Sequence, residues 1–420
     1  MQFDEAVQYL LSLGHETLAI KLGLRNTELL LAALDNPERS FTAVQIAGTN
    51  GKGSTAAMLD SICRAAGIKT GLYTSPHLVS ITERIRIAGS DITPEDFARH
   101  ATTVRAVAEA LVARKEIEAL PTFFEHVTAI ALVAFREAGV ELAILETGLG
   151  GRLDSTTAAN AAIVGITPIA MDHEEYLGST LTSIASEKAA VIRCGVTAVI
   201  AEQPPEALQV LLERCEAVGV QPSRFSGKNF SKQLSINLRG AHQIQNAWVA
   251  VGLAEALRQR GFTITDEQIG LGLARVQHPG RLELISSDLV SPFLLDGAHN
   301  PAGAQALRKY LDEFQHGPLT LVFGAMSNKR LDQIAETLFP LAAVLVLTTV
   351  DNPRSATLET LAPLAKQFAR GVVIETPSSA EAVHTAIART PKDGLICITG
   401  SLYLIGETRP MILTLADETP

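Results

Sequence analysis

The sequence has few cysteines, no excess of basic residues and no long apolar run. Its cysteines, Cys63, Cys194, Cys215 and Cys397, form no C-x-x-C pair, which argues against a disulfide framework or a zinc site and for buried thiols in a reducing compartment. Lysine and arginine number 35 against 45 aspartates and glutamates, a net charge of −10, which argues against a nucleic-acid or anionic-membrane partner. No apolar run approaches the roughly 18 residues of a membrane span, and residues 1–5 are acidic where a signal peptide would be basic. We therefore expect a cytoplasmic protein with no membrane partner.

A chain of 420 residues is too long for one ordinary core, so two or three domains are expected. Short apolar runs alternate with longer helical patterns over its first half. Strands are predicted at residues 41–47, 68–73, 140–146, 161–166 and 196–201, and helices at residues 54–66, 96–113, 124–138 and 182–193. This alternation is typical of a parallel sheet covered by helices on both faces.

A second alternation begins near Pro292. Strands are predicted at residues 293–295, 319–323, 343–347, 372–375 and 395–398, and helices at residues 301–314, 331–338, 358–369 and 380–388. The segment 285–292 has the composition of a linker. We therefore predict an α/β protein with a larger amino-terminal domain, residues 1–286, and a smaller Rossmann-like α/β domain, residues 287–420.

Residues 48–54, G-T-N-G-K-G-S, follow a predicted strand and open a predicted helix. This context suits a phosphate-binding loop, because the glycines let backbone N–H groups approach phosphate oxygens at the start of a helix. Lys52 would reach the terminal phosphates and Ser54 would bind Mg²⁺. Gly53 separates Lys52 from Ser54, so the loop is a variant of the usual pattern, and a glycine-rich turn without a ligand is the alternative. The larger domain is therefore predicted to be a P-loop ATPase domain.

Other polar residues stand where predicted strands end. Glu146 ends a buried strand and is a reasonable Mg²⁺ ligand at the same sheet edge. Taken alone, His173 fits a structural histidine better than a ligand. Asp296 and His299 follow the first strand of the smaller domain, and Arg281 is either a phosphate clamp or a domain-interface ion-pair partner. The glycines after Glu146 do not complete G-x-G-x-x-G, so no dinucleotide site is predicted.

Motifs along nearly the whole chain carry a resemblance to a known family. They occupy residues 22–24, 48–54, 74–78, 83–86, 122–125, 146–154, 172–173, 187–189, 242–243 with 246, 279–281, 296–301 and 400–403. The set resembles the bifunctional dihydrofolate synthase/folylpolyglutamate synthase family of the Mur ligase superfamily. The chain reads Ser155-Thr156-Thr157 where that family usually has Ala-Thr-Asn.

The resemblance implies roles for individual residues. It places ATP contacts at Gly51, Lys52, Gly53, Ser54, Asn246, Arg281 and Asp296. It places ligands for two Mg²⁺ ions at Ser54, Ser75, Glu146, His173 and Lys188, the last as an N6-carboxylated lysine. It makes Lys52, Lys188 and His299 catalytic, and it places pteroate or folate contacts at Gly23, Leu24, Arg25, Thr122, Phe123, Phe124, Glu125, Leu153, Asp154 and Ser155.

The activity implied by the resemblance is ATP-dependent joining of L-glutamate to dihydropteroate and to the glutamate tail of reduced folates. The carboxylate would first become an acyl phosphate, which the glutamate amine would attack. The enzyme would be a monomer that holds the nucleotide in an interdomain cleft. Three alternatives remain open at this point: a related ligase acting on a cell-wall precursor, a monofunctional folylpolyglutamate synthase, and a non-catalytic nucleotide-binding regulator.

Overall fold

A computed structural model of the chain describes residues 1–14, 23–224, 235–286 and 290–417. The chain divides into two compact units. The first comprises Met1–Ile169, Glu175–Asn237 and Gln245–Val276, and the second comprises Ala170–Glu174, Leu238–Ile244 and Gln277–Pro420. Leu22 of the family motif and residues 287–289 of the expected linker lie outside the described residues.

Within the described residues, the first unit contains an eight-stranded sheet. Its strands are β1 (Thr42–Ala47), β2 (Thr70–Tyr73), β3 (Ile85–Ile87), β4 (Ser90–Asp91), β5 (Leu142–Glu146), β6 (Ile163–Ile166), β7 (Thr197–Ile200) and β8 (Ser223–Arg224). They lie in the order β4-β3-β2-β5-β1-β6-β7-β8. The neighbouring strands in the run β2-β5-β1-β6-β7-β8 pair in parallel. At the other edge, the β2–β3 and β3–β4 pairs are antiparallel. Because β1 and β5 stand side by side, Ile46 is opposite Glu146 and both strands end at the same edge.

Helices cover this sheet because its central strands are apolar on both faces; every residue of β5 is buried. The helices are α1 (Phe3–Ser12), α2 (Arg25–Ala33), α3 (Lys52–Ala65), α4 (Pro94–Ala113), α5 (Phe123–Glu137), α6 (Glu174–Leu177), α7 (Leu181–Ala189), α8 (Pro205–Ala217), α9 (Ala241–Gln259) and α10 (Asp266–Arg275). The first residue of α6 and the first turn of α9 belong to the second unit.

The second unit is a six-stranded sheet with helices, counted over the part of the chain that the structure describes. Its strands are β9 (Glu283–Ile285), β10 (Phe293–Asp296), β11 (Leu319–Phe323), β12 (Val344–Leu347), β13 (Val372–Glu375) and β14 (Leu395–Thr399). Its other helices are α11 (Pro301–Phe314), α12 (Leu331–Leu338), α13 (Leu358–Phe368), α14 (Ser379–Arg389) and α15 (Leu402–Asp417). The strand order is β13-β12-β11-β14-β10-β9, and only the β9–β10 pair among these strands is antiparallel.

The predicted α/β architecture is confirmed, and the ends of the predicted strands differ from the observed ones by at most two residues. The expected domain boundary differs more. The second unit resumes at Gln277, ahead of the predicted break at residue 286, because β9 pairs with β10 and so joins the second sheet. Within the predicted helix 182–193, α7 ends at Ala189, where Ile192 N bonds Ala189 O and tightens the chain into a turn.

The structure also bears on the expected burial of the cysteines and on the expected lack of a membrane span. All four cysteines are unpaired, but Cys194 is exposed, whereas the other three are buried as predicted. None of the helices in the described ranges is long and apolar enough to cross a membrane.

Candidate active site

The loop between β1 and α3 has the backbone of a phosphate-binding loop. Gly51, directly before α3, has φ of +86°, and a Cβ there would come within 2.1 Å of Asn246 Oδ1. Glycine is therefore required both by conformation and by the close approach of the amide. The N–H groups of Thr49 and Asn50 donate to Pro168 O at 3.0 and 3.2 Å. These bonds hold the first part of the loop to the segment that follows β6.

Lys52, Gly53 and Ser54 form the first turn of α3. The N–H groups of a first helical turn have no partner within the helix and carry the positive end of its dipole. Lys52 Nζ donates to Thr49 O at 3.2 Å, and Ser54 is buried. Asn246, which the sequence analysis also assigns to ATP, is buried against the loop. The structure thus gathers the predicted phosphate contacts of the first unit around one helix start.

Lys188 lies on the last turn of α7 and only 4% of it is exposed. Its Nζ donates to Gly48 O at 2.7 Å. A lysine on a helix ordinarily extends its amine into water, so this inward orientation is unusual. The side chain therefore reaches the phosphate-binding loop.

Ser75 and Glu146 are brought together from the ends of β2 and β5. Ser75 N donates to Glu146 Oε2 at 3.1 Å, and Glu146 is buried. Their hydroxyl and carboxylate oxygens are hard donors of the kind Mg²⁺ prefers, and Mg²⁺ keeps several positions for water and phosphate. Across the described ranges, no three His, Cys, Asp or Glu side chains group closely enough to hold a metal ion. Ser75 and Glu146 therefore fit an ion that phosphate also binds.

His173, the remaining predicted metal ligand, belongs to the second unit. Its backbone N–H donates to Asp172 Oδ1 at 2.8 Å. Asp172 is the centre of a cluster, since Lys329 Nζ lies 2.6 Å from Oδ1 and Asn300 Nδ2 donates to Oδ2 at 3.1 Å. His299 Nε2 lies 3.5 Å from the same Oδ2. The predicted catalytic His299 is therefore part of a charged cluster within one unit.

The charges of this cluster determine its protonation. Burial alone would raise the pKa of Asp172, but the hydrogen bond and charge of His299, with the charges of His173 and Lys329, hold that pKa far below its ordinary value. His299 Nδ1–H donates to Gly297 O at 2.7 Å, because a carbonyl can only accept. Asp172 is thus an anion that lies beside the other ring nitrogen of His299, Nε2.

Arg281 and Asp296, the predicted ATP contacts of the second unit, lie near each other and near His242. Asp296 accepts hydrogen bonds from Leu282 N at 2.9 Å and Ala298 N at 3.0 Å. Burial raises the pKa of Asp296, against the lowering effect of Arg281, His242 and these two bonds. The carboxylate thereby ties the Arg281 loop to the end of β10.

The predicted pteroate segments adjoin one another in the first unit. Thr122 caps α5 and exchanges hydrogen bonds with Glu125, whose Oε1 also accepts from Thr27 Oγ1 of α2 at 3.0 Å. Leu24 precedes α2, the exposed Arg25 begins it, and Gly23 lies just before them. The links between α2 and α5 therefore bring the first two segments side by side.

Aromatic rings and hydroxyls extend this region. The rings of Tyr73 and Phe124 lie 5.9 Å apart, and Phe123 is buried beside Arg84, whose Cζ is 5.3 Å from its ring centroid. Ser155 Oγ lies 2.6 Å from Thr128 Oγ1 of α5. The third segment therefore meets α5 as well.

Asp154 contacts the protein's own backbone. It accepts from Gly148 N and Leu149 N at 2.8 and 2.9 Å and from Thr156 N at 3.0 Å, while the half-buried Leu153 precedes it. These bonds hold the loop after Glu146 closed. Thr157, one of the two residues that depart from the family pattern, accepts a hydrogen bond from Gln45 Nε2 at 2.7 Å, and so does Thr156, which matches the pattern, at 3.0 Å.

Sequence reasoning missed Lys329 and the central position of Asp172. Lys329 is separated from Asp172 by 157 residues, so no local spacing connects them. The available signal was the Asp172-His173 pair itself, which was considered only as a source of a histidine ligand.

Comparison with known proteins identifies the family. The model described as "Mur ligase, glutamate ligase domain" matches residues 280–402. The chain is 35% identical to a probable bifunctional folylpolyglutamate synthase/dihydropteroate synthase of Halobacterium salinarum, over 97% of this chain and 51% of that protein. It is 33% identical to the dihydrofolate synthase/folylpolyglutamate synthase of Bacillus subtilis, over 94% of this chain and 96% of that protein. The chain belongs to the dihydrofolate synthase/folylpolyglutamate synthase family. It spans about half the length of the halobacterial relative.

Solved structures of dihydrofolate and folylpolyglutamate synthases share the fold. The Mycobacterium tuberculosis folylpolyglutamate synthase complexed with ADP has a TM-score of 0.90 and 31% identity, over 98% of both chains. An Escherichia coli structure in complex with DHPP and ADP has a TM-score of 0.87 and 28% identity, over 99% of this chain and 98% of that one. A bifunctional Yersinia pestis enzyme complexed with AMPPNP and Mn ion has a TM-score of 0.84 and 27% identity, over 98% of both chains. The resemblance inferred from the motifs is confirmed.

Proposed function

We propose that the chain is an ATP-dependent ligase that joins L-glutamate to dihydropteroate and to the glutamate tail of reduced folates. The observation that carries the proposal is the phosphate-binding loop, with Gly51 in the left-handed conformation, Lys52 opening α3 and Lys188 Nζ 2.7 Å from Gly48 O. Family membership supplies the reaction class. The two activities are proposed together because the Bacillus subtilis relative bears both names.

A carboxylate is a poor electrophile, so the reaction must first activate it. A carboxylate oxygen of the folate substrate attacks the γ-phosphorus of ATP, ADP leaves, and an acyl phosphate forms. The glutamate amine then attacks the acyl carbon, the C–O bond breaks, and phosphate leaves with the amine proton passing to solvent. Lys52 and the first-turn N–H groups of α3 stabilise the charge that develops on the transferred phosphoryl group.

The oxygen donors of the first unit would hold Mg²⁺. Ser54, Ser75 and Glu146 are the proposed ligands, with His173 assigned to the same role by the family pattern. When bound, the ion neutralises phosphate charge. The protein's own contribution is to keep the Glu146 side chain in place, through the 3.1 Å hydrogen bond that Ser75 N donates to it.

Lys188 is proposed to become a carbamate. An uncharged amine adds to CO₂ to form N-carboxylate and release a proton, which converts a cation into an oxygen ligand. The buried position of Lys188 beside the phosphate-binding loop supports this proposal.

We expect Lys188→Ala to lose ligase activity and to regain part of it when formate or acetate is added, because a small carboxylate can occupy the vacated space. Steady-state ADP release measures both effects. Lys69→Ala, which removes an exposed lysine of the same unit, is the control and should behave like wild type. A fully active Lys188→Ala enzyme would remove the carbamate from the proposal.

The second unit is proposed to contribute Arg281 and Asp296 to nucleotide binding and His299 to the region of the incoming glutamate. The Arg281 guanidinium lies against Gly297, since a Cβ there would be 3.0 Å from one of its nitrogens. His299 is oriented by Gly297 O and Asp172. The pteroate is assigned to the α2–α5 region of the first unit, where aromatic rings such as Phe124 offer a flat stacking surface.

ADP release, measured side by side with dihydropteroate and tetrahydrofolate in the presence of ATP, glutamate and Mg²⁺, tests the function. Release with both supports the bifunctional ligase, whereas release with tetrahydrofolate alone makes the enzyme a monofunctional folylpolyglutamate synthase. Release with a UDP-sugar cell-wall precursor and with neither pterin would contradict the proposal.

A further inference from the structure

The sequence motif Glu83-Arg84-Ile85-Arg86 belongs to the family pattern but has no role in the mechanism above. In the structure, the Glu83 carboxylate contacts the backbone of the segment Ser75–Ser80, which we call the Ser75 loop. Three consecutive backbone N–H groups donate to its carboxylate, from Leu78 at 2.8 Å, Val79 at 3.0 Å and Ser80 at 2.9 Å. Charge-assisted bonds of this kind are stronger than neutral ones. Glu83 therefore fixes the second half of the Ser75 loop.

Arg84 fixes the first half of the loop. Its Nε donates to His77 Nδ1 at 2.8 Å, and its carbonyl accepts from Thr74 N at 3.0 Å. Arg84 is only 2% exposed, and its guanidinium stacks against the Phe123 ring at the start of α5. This arginine consequently joins the Ser75 loop to the proposed pteroate region.

The loop so held begins at one of the proposed metal ligands. Ser75 N contacts Glu146 Oε2, so a movement of the loop displaces Ser75 and the hydrogen bond that orients Glu146. Residues that orient metal ligands without touching the ion commonly change metal affinity roughly 10- to 100-fold when they are substituted.

The contacts described here point to Glu83 and Arg84 as positioning residues: we infer that they hold the Ser75 loop so that Ser75 and Glu146 bind a divalent cation, and that Arg84 couples this site to the Phe123 end of α5. The inference rests on the metal site of the proposed function. It adds to that function the residues that determine how tightly the cation is held.

The test uses Glu83→Gln and Arg84→Lys in the full chain. Glu83→Gln removes the charge with little change of shape, and Arg84→Lys keeps the charge but removes the Nε–H that reaches His77. Arg86→Lys is the matched control, because Arg86 belongs to the same motif but pairs with Asp91 at the exposed β3–β4 edge, 2.6 Å away. Ser75→Ala and Glu146→Gln serve as reference variants for loss of the cation.

Three readouts separate positioning from a merely structural role. In calorimetric titration with Mn²⁺, Glu83→Gln and Arg84→Lys should bind the ion at least about tenfold more weakly than wild type. Arg86→Lys should bind it with wild-type affinity. Hydrogen–deuterium exchange should increase in residues 75–80 in the first two variants only. In ADP release, both variants should need more Mg²⁺ for half-maximal rate, and Arg84→Lys should also raise the KM for dihydropteroate.

Wild-type Mn²⁺ affinity in a folded Glu83→Gln protein would overturn the inference, even if exchange increases, because the loop would then be held for structural reasons alone. Should Arg84→Lys fail to fold, Glu83→Gln decides the question. If the wild-type enzyme releases no ADP with any pterin, the proposed function fails, but the Mn²⁺ and exchange measurements still support or overturn the positioning role.

Discussion

His126 is a buried histidine of α5 with both ring nitrogens engaged. Nδ1–H donates to Thr122 O at 3.2 Å, so the hydroxyl of Tyr9, 3.1 Å from Nε2, donates to the other nitrogen. This arrangement suits the neutral ring. Burial lowers the pKa of His126 to about 4 from its ordinary 6.5, and bonds to backbone carbonyls oppose the shift only partly.

The His126 contacts predict a specific loss of stability in mild acid. A folded-state pKa below the unfolded one gives stability that is fully present above about pH 6.5 and is lost as pH falls toward 4. Between pH 7 and pH 5 we expect this residue to remove about 2 kcal/mol from the free energy of unfolding. Urea unfolding of wild type and His126→Gln at both pH values measures the difference. Equal pH dependence in the two proteins would contradict the assignment.

At the residue scale, prediction from the sequence was successful where neighbouring residues along the chain indicate the role of a side chain. The glycines, lysine and serine of residues 48–54 predict the loop because strand, turn and helix signals coincide there. Asp172 with Lys329, and Glu83 with the Ser75 loop, could not be predicted as sites in this way, because their meaning lies in contacts and not in spacing. The individual site assignments made from the family pattern stay predictions until variants are assayed.

Two helices of the first unit, α3 and α10, approach closely at a glycine. A Cβ at Gly272 would come within 2.4 Å of Ile62 Cα, and Ser61 Oγ donates to Gly272 O at 2.7 Å. This contact matters to the site because α3 begins at Lys52.

Gly272→Ala should force these helices apart and lower the free energy of unfolding by roughly 1–3 kcal/mol, the usual effect of overpacking. Gly270 is a matched control on the same helix, since no atom lies within 4 Å of its Cβ position. Gly270→Ala should instead stabilise the protein by about 0.5–1 kcal/mol, through helix propensity. Denaturant titrations of the two variants compare the effects directly. A destabilised Gly270→Ala, or an unaffected Gly272→Ala, would count against this packing.

At the level of elements, the parallel strands were predictable because buried strands are continuously apolar. Helix α9 was not predicted, and its residues explain why. Ala247, Val249, Ala250 and Val251 are all buried, so the helix lacks the polar face that gives an amphipathic period. The short strands β3, β4 and β9 depend on pairing with neighbours, which the local sequence does not announce.

For the whole molecule, the net charge of −10 must be reconciled with the anionic substrates of the proposed function. The loop before α3 offers a local attraction that the overall charge does not. A nucleotide bound there stabilises the folded chain by mass action, by about 2.7 kcal/mol when its concentration is 100 times its Kd.

We therefore expect AMPPNP with Mg²⁺ to raise the thermal unfolding midpoint of wild type and of Lys69→Ala equally. Without nucleotide, Lys52→Ala should unfold at the wild-type temperature. With nucleotide, its unfolding midpoint should rise much less than that of wild type, because the loop has lost the positively charged Lys52 side chain. Scanning calorimetry with and without AMPPNP measures both quantities. An undiminished increase in Lys52→Ala would place the nucleotide elsewhere.

The short segment Ala170–Glu174 belongs to the second unit although it follows the β6 strand of the first. A carboxy-terminal fragment cut to the limits of the family match, residues 280–402, would omit it. Lys329 and Asn300 would then lack the Asp172 carboxylate that they bond. A chimaera that takes the second unit from this chain must therefore include the segment Ala170–Glu174 as well. With a single crossover near residue 280, Lys329 would face the other protein's residue in place of Asp172.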